Sequence, residues 1–368
     1  RHTRLRTVTG VQTCALPICF DFTLGQQISQ VRHQGHVAPV GDFVLHRATF
    51  HLVVNERRCH CPAVLRGGRK EGAMERQHAL AIVNPRSGRQ LGPQAVSQLQ
   101  SILQQAGCQL TICTTNGPGH ATRIAAESDL QNFHCIAAIG GDGTIHEIIN
   151  GLMQRPTPSH TPLAIVPSGT GNALALQYEL LSVNDAARCI LHGTATPLDV
   201  IEVQLPDRRI YCINIVGWGA ATDINIRAEK LRWLGRSRYS FAALLQILHP
   251  GARSARITLD QQTFEEPFLF AVLCNTRFAG HRMLLAPYAR SDDGLLDLLL
   301  LRPGSRRNLL QVLQAVSDGS HLKFPNVQYC QVRSLQITTS HADPLNLDGE
   351  VSAQTPFSAR VLPRSEEH

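Results

Sequence analysis

An amino-terminal doubly wound α/β domain followed by a carboxy-terminal antiparallel β-sandwich is the fold class this sequence predicts, and three observations predict it. Apolar runs of strand length break three times into loops that contain glycine, two of them opening helical patterns. Beyond about residue 199 the pattern shifts to runs rich in Val, Ile and Leu with few helices between them. The stretch organised in this way, about 290 residues, exceeds what one hydrophobic core usually holds.

In chain order, residues 79–83 form the first apolar run. It ends in Asn84-Pro85-Arg86-Ser87-Gly88, which sets a fixed cation and a hydroxyl at a strand end. Residues 135–139 deliver Gly140-Gly141-Asp142-Gly143-Thr144, with a helical pattern over 145–152 behind it. Three glycines in four positions leave backbone N–H groups free to approach anionic oxygens, and a helix N-terminus adds partial positive charge. A turn whose Asp142 only caps the helix is the simpler reading of this loop alone. Residues 163–166 then break into Pro167-Ser168-Gly169-Thr170-Gly171-Asn172, followed by a helix-like stretch over 173–180. Parallel strands of a doubly wound sheet place such loops side by side at their carboxyl ends. Three loops with phosphate chemistry on one rim imply a nucleoside triphosphate. None of them is a G-x-x-x-x-G-K-[ST] P-loop or a G-x-G-x-x-G fingerprint.

After a short hinge at 197–200, strands are expected over 200–205, 210–216, 255–259, 268–275, 294–301 and 335–339. Helices are expected over 240–248 and 308–316. The two domains are thus expected at 74–199 and 200–363, with the active site in the cleft between them. Both ends of the chain read differently. Residues 8–18 look like the translation of a sequencing-library adapter, and residues 364–368 resemble the opposite adapter. Residues 19–73 show no sustained periodicity, and Lys70-Glu71-Gly72 can be encoded by a ribosome-binding sequence just ahead of Met74. Residues 1–73 and 364–368 are therefore expected to be non-native, with translation starting at Met74.

Composition narrows the function classes. The chain carries 35 Lys+Arg against 28 Asp+Glu, a net charge of +7, but most of that excess falls in residues 1–73. The remainder is nearly neutral and lacks the concentrated basic face that nucleic-acid binding needs. Cys59-His60-Cys61 is metal-like but has no partner pair at zinc spacing. The cysteines after Met74 are scattered, with no C-x-x-C pair, as expected for reduced thiols in a cytoplasmic protein. No apolar run approaches the ~20 residues of a transmembrane helix.

The residues resemble the diacylglycerol kinase catalytic-domain superfamily of lipid kinases, which also holds sphingosine and ceramide kinases. The resemblance rests on NPRSG, on GGDGT with Glu147 and Asn150-Gly151, and on PSGTGNALA, in that order and spacing. Gly217-Trp218-Gly219, Asp223, the segment from Glu229 to Tyr239, Asp318-Gly319-Ser320-His321 and Leu347-Asp348-Gly349-Glu350 add to it. The GNALA and RWLG-x-x-RY wording leans toward the sphingosine and ceramide branch. The resemblance implies ATP and Mg²⁺ as cofactors, a lipid substrate taken from the membrane surface, and a peripheral location at the inner membrane face.

By the same resemblance, the nucleotide is bound by Asn84, Arg86, Ser87, Gly140, Gly141, Gly143, Thr144, Ser168, Gly169, Thr170, Asn172, Arg232 and Arg238. Asp142 is expected nearest the transferring phosphate, and Glu350 is expected to bind Mg²⁺ or assist deprotonation. Asp223 matches a substrate-binding position. Asn225 departs from the sphingosine kinases, which carry a carboxylate there, and so favours a neutral alcohol over a cationic one. Asp292, Asp293 and Asp297 resemble a region that holds a structural metal in some bacterial members. His146 and His321 are expected on a helix surface and in a turn. NAD kinases share GGDGT but lack PSGTGNALA and the late DGE, and a non-enzymatic lipid- or nucleotide-binding regulator is the other rival reading.

Overall fold

A computed structural model describes residues 50–54, 77–89, 91–169, 171–280 and 283–363, all within one compact unit. Its first sheet contains β1 (Phe50–Val54), β2 (His78–Val83), β3 (Gln109–Thr114), β4 (Cys135–Gly140), β5 (Leu163–Pro167) and β6 (Thr194–Leu198). The strand order is β3-β2-β4-β5-β1-β6, and β3, β2, β4 and β5 pair in parallel. The connections between them are α1 (Gly92–Gln105), α2 (His120–Glu127) and α3 (Asp142–Met153). Then α4 (Ala173–Gln177) and α5 (Val183–His192) lead to β6.

Burial explains why these elements form. Every residue of β4 is buried, so CIAAIG shows no alternation, as expected for a parallel strand covered on both faces. In α1 the buried residues Gly92, Ala95, Leu99 and Leu103 recur at helical spacing. The helices α2 and α3 pack closely at Gly151, where a Cβ would collide with the carbonyl of Thr122. The Asn150-Gly151 pair behind the glycine loop thus has a packing role at its second position.

Phe50–Val54 changes the expected domain boundary. It lies upstream of Met74, in the stretch expected to be non-native, yet it fills the slot between β5 and β6. It pairs with β5 in parallel and with β6 antiparallel, and Phe50, Leu52, Val53 and Val54 are buried. The fold therefore begins before residue 74. Periodicity missed this strand because covering both faces leaves no polar alternation to detect. The adapter-like segments at 8–18 and 364–368 and the Cys59-His60-Cys61 cluster lie outside the described residues.

Only Asp199 separates β6 from β7 (Val200–Gln204), the first strand of the second domain. It is followed by β8 (Arg209–Cys212), β9 (Ile215–Gly219), α6 (Ala220–Lys230), α7 (Arg238–Leu248), β10 (Arg253–Leu259), β11 (Gln262–Phe268) and β12 (Phe270–Cys274). A short hairpin of β13 (Phe278–Ala279) and β14 (Met283–Leu284) precedes β15 (Leu296–Leu301) and α8 (Arg306–Ala315). The chain ends with β16 (Val327–Val332), β17 (Ser334–Thr339), β18 (Pro344–Leu347), β19 (Glu350–Gln354) and β20 (Phe357–Leu362). Two antiparallel sheets result, ordered β11-β10-β17-β20-β7-β8 and β16-β15-β12-β9-β18-β19.

Trp218, Leu273 and Leu298 from one sheet and Ile201, Ile257 and Ile337 from the other share one buried core, which makes this a sandwich. The strand expected over 210–216 is instead divided between β8 and β9. The amides of Ile213, Asn214 and Ile215 all turn to the carboxylate of Asp348.

Candidate active site

The three glycine-containing loops of the first domain meet at the carboxyl ends of β2, β4 and β5. Asn84 Nδ2 donates to Thr144 Oγ1 at 3.2 Å, which ties the first loop to the second. Ser87 Oγ and Ser168 Oγ lie 2.8 Å apart and tie the first to the third. Ser168 N donates to the Gly140 carbonyl, joining the second to the third. Gly141 and Gly169 touch backbone to backbone, and a Cβ on Gly169 would collide with the Gly141 Cα. Gly88, at φ 51, lies against the Ser168 carbonyl in the same way. Glycine is therefore required here by close approach as well as by turn geometry.

These loops wall a cleft of about 410 Å³ lined by Asn84, Arg86, Ser87, Gly141, Gly143, Thr144, Gly169 and Glu350, with Glu147 and Thr115. Glu147 accepts from the amides of Gly119 and Ala121 at 3.0 and 3.1 Å and so caps the start of α2 beside the cleft. Asn172, in the left-handed conformation at φ 52, closes the third loop by exchanging hydrogen bonds with Gly169.

Asp142 opens α3 but is directed at the third loop. Its Oδ1 accepts from Leu174 N at 3.5 Å, and a Cβ on Gly171 would lie 2.7 Å from Oδ2. Burial raises its pKa above the ordinary aspartate value, in spite of the opposing amides of Ala173 and Leu174. The carboxylate is thus held between two loops of the nucleotide-type rim, behind the residues that line the cleft.

Glu350 reaches the cleft from the second domain. A Cβ on Gly143 would lie 3.3 Å from Glu350 Oε1, so the carboxylate stands directly over the glycine loop. The preceding pair, Asp348 at φ 52 and Gly349 at φ 99, forms the two-residue turn that reverses β18 into β19. Asp348 is buried and accepts from the amides of Ile213, Asn214 and Ile215 at 2.9, 2.8 and 3.0 Å. His146 Nδ1 donates to it as well, at 2.9 Å. The expectation of a helix-surface His146 is therefore corrected: it is only 8 % exposed. Burial disfavours the imidazolium, but Asp348, Glu350 and Glu147 outweigh it and raise the His146 pKa. Sequence reasoning named Asn150 and Asp348 only as parts of the resemblance and His146 only as a surface residue; it did not find their contacts, although His146 lies one helical turn past the glycine loop and Asp348 two residues before Glu350.

Residues 78–203 match the family model for the diacylglycerol kinase catalytic domain, and residues 214–366 match the YegS C-terminal NAD kinase beta sandwich-like domain. A diacylglycerol kinase of Staphylococcus saprophyticus is 30% identical over 76% of this chain and 91% of its own. A YegS-like lipid kinase of Shewanella frigidimarina is 31% identical over 66% and 78%. The chain belongs to the diacylglycerol kinase family of lipid kinases. Sphingosine kinase 1 of Arabidopsis thaliana is also similar, at 26% identity over 69% of this chain and 63% of its own. A solved structure of a diacylglycerol kinase from Bacillus anthracis shares the fold, with a TM-score of 0.59 over 78% of this chain and 94% of its own at 20% identity. Among the described residues, no helix of this lipid kinase is long and apolar enough to cross a membrane.

Several expected site residues of the kinase are not gathered at the cleft. Arg238 pairs with Glu229 at 3.1 Å and stacks on the Tyr239 ring, and it does not line the cleft. The Arg232 side chain and Thr170 lie outside the described residues. Asp223 is committed to Arg253, which donates to both carboxylate oxygens at 3.0 and 2.9 Å. Asn225 is buried and donates to the Gly349 carbonyl at 2.6 Å, so this departure from the sphingosine kinases steadies the turn before Glu350.

The three aspartates expected at a metal go separate ways. Asp292 pairs with Arg290 at 3.2 Å, Asp293 accepts from the Leu295 amide, and Asp297 accepts from the Tyr329 hydroxyl at 2.5 Å. The one metal-type group of three side chains among the described residues is His146, Cys212 and Asp348, whose carboxylate is already saturated by hydrogen bonds. His321 is buried, bonded to the Leu285 carbonyl, and has no place at the cleft.

Proposed function

We propose that this kinase transfers the γ-phosphate of ATP to the hydroxyl of a neutral membrane lipid, diacylglycerol or a closely related alcohol. The observation that carries this reading is Glu350 standing over Gly143, in a cleft otherwise walled by glycine loops, Thr144, Ser87 and Arg86. Phosphoryl transfer requires positioning and charge stabilisation more than covalent chemistry by the protein. Loop amides and Arg86 suit the phosphate oxygens, and a carboxylate suits the acceptor side. Glu350, which lines the cleft, is a hard oxygen donor of the kind Mg²⁺ selects, and the ion when bound would neutralise developing charge on the phosphates; Asp142, turned to the third loop, would hold that loop against the glycine loop.

Two observations favour a neutral acceptor. Asp223 has its charge matched by Arg253, and position 225 is an asparagine occupied by Gly349. Neither offers a free carboxylate to a cationic amino alcohol. Borrowing a lipid from the bilayer implies peripheral association with the inner membrane face, and the domain that receives the lipid is taken to be 200–363. The test is transfer of labelled γ-phosphate to mixed micelles that contain diacylglycerol, ceramide, sphingosine or no lipid. Labelled phosphatidic acid alone supports the proposal. A sphingoid product moves the enzyme to the sphingosine and ceramide branch, and no labelled lipid with intact ATP binding overturns the lipid assignment.

A further inference from the structure

The helix behind the glycine loop and the late turn carrying Glu350 meet at two points. On α3, Gly143 and His146 are three residues apart and share a face. On the β18–β19 turn, Glu350 and Asp348 are two residues apart. Gly143 faces Glu350, and His146 bonds Asp348. Within the sandwich the hairpin is held by the pairing of β18 with β9 and by Asn225 on the Gly349 carbonyl. The His146 bond ties it to the first domain as well, beside the point where Glu350 enters the cleft.

We propose that His146 is a positioning residue for phosphoryl transfer, acting through Asp348 to hold Glu350 over the glycine loop. This rests on the kinase reading of the cleft. Asp348 occupies a left-handed backbone position and spends its carboxylate on three amides from the β8–β9 connection as well as on His146. The carboxylate is therefore a fixed peg in the second domain, and His146 is the only side chain of α3 bonded to it among the described contacts. Because a carboxylate only accepts, Nδ1 carries the hydrogen. Asn150 reinforces the same junction one turn on: its Nδ2 donates to the His146 and Tyr211 carbonyls at 2.8 Å each, and its Oδ1 accepts from Tyr211 N. The charged and titratable groups around the imidazole are Asp348 and Glu350 from the turn, Glu147 from α3, and Cys212 from β8.

The test uses two amide variants of the full chain. In His146→Asn the amide nitrogen falls where Nδ1 stands, so the bond to Asp348 can be kept; in His146→Gln it falls one bond further out. The expected result is kcat within threefold of wild type for His146→Asn and at least tenfold lower for His146→Gln, with KM for ATP within twofold for both. In a Glu350→Gln background the His146→Gln change should cost nothing further, because its effect passes through Glu350. Equal activity of the two variants, or an undiminished loss in the Glu350→Gln background, overturns the proposal. If the wild-type chain phosphorylates no lipid, the kinase reading fails separately, and amide hydrogen exchange decides the junction. Exchange at Ile213, Asn214 and Ile215 should stay slow in His146→Asn and quicken in His146→Gln; no difference overturns it.

Discussion

Gly169 has no room for a side chain, since a Cβ would collide with Gly141 Cα and lie 2.7 Å from Asn172 Oδ1. Gly169→Ala must force the second and third loops apart, at a cost of about 1–3 kcal/mol. We expect it to weaken ATP binding at least tenfold by calorimetry, whereas Gly251→Ala, which meets nothing within 4 Å, leaves binding unchanged. Asp297 makes a different prediction. Burial pushes its pKa up to about 6, although the Tyr329 hydroxyl pulls the other way, and its Oδ2 is buried with no partner. The native state therefore holds the proton more tightly than the unfolded chain. That contribution is full below about pH 4 and is lost as pH rises through 6, on the order of 3 kcal/mol. Asp297→Asn keeps an acceptor for Tyr329 and removes the charge, so urea unfolding should show a smaller loss of stability from pH 4 to 7.5 than wild type. An unchanged pH dependence would assign the proton to another group. At this scale the glycines and Glu350 were legible, because loop backbones that approach phosphate must be bare. Asp348 and His146 were not, because their partners lie about 200 residues apart and no local pattern marks a side chain that bonds across a domain boundary.

The strand β1 shows what an element contributes without any signature. Leu52 is fully buried between β5 and β6, paired with Leu163 on one side and Thr196 on the other. Leu52→Ala should destabilise the chain by about 2–5 kcal/mol in chemical denaturation. An effect below about 0.5 kcal/mol would mean that residues 50–54 do not occupy the slot in solution, in line with translation from Met74. The parallel strands β2, β4 and β5 were legible as apolar runs that end in glycine loops. So was the change to antiparallel strands after Asp199. The break between β8 and β9 was not, since Tyr211 to Val216 is uniformly strand-like apart from Asn214. There the carboxylate of Asp348, from the β18–β19 turn, takes the amides of Ile213 and Asn214 and of Ile215, the first residue of β9.

The two largest hydrophobic cores among the described residues lie within the first domain and between the sandwich sheets; two smaller clusters, around Leu309 and around Ala286, pack outside the sandwich. The chain passes between the two large cores first at Val200–Ile201 and again at the β8–β9 connection, where Ile213 belongs to the first core while Cys212 and Val216 belong to the second. Asp348 anchors that second crossing from the sandwich and His146 anchors it from α3, so the junction that aims Glu350 is also one of the places where the two cores are joined. Removing the carboxylate leaves three buried amides and an imidazole unpaired, a loss of about 3–5 kcal/mol concentrated at the junction. Each core keeps its own apolar contacts. We therefore expect wild type to unfold in one calorimetric transition and Asp348→Ala to unfold in two, the first suppressed by ATP if the nucleotide binds the domain that contains the glycine loops. A single lowered transition in Asp348→Ala would show that the cores are coupled mainly elsewhere, through the Asn150–Tyr211 pair or the Asp199 hinge. Separation into two would mean that one carboxylate joins catalysis to cooperativity, because the same bonds that hold Glu350 over Gly143 hold the domains to a common fate.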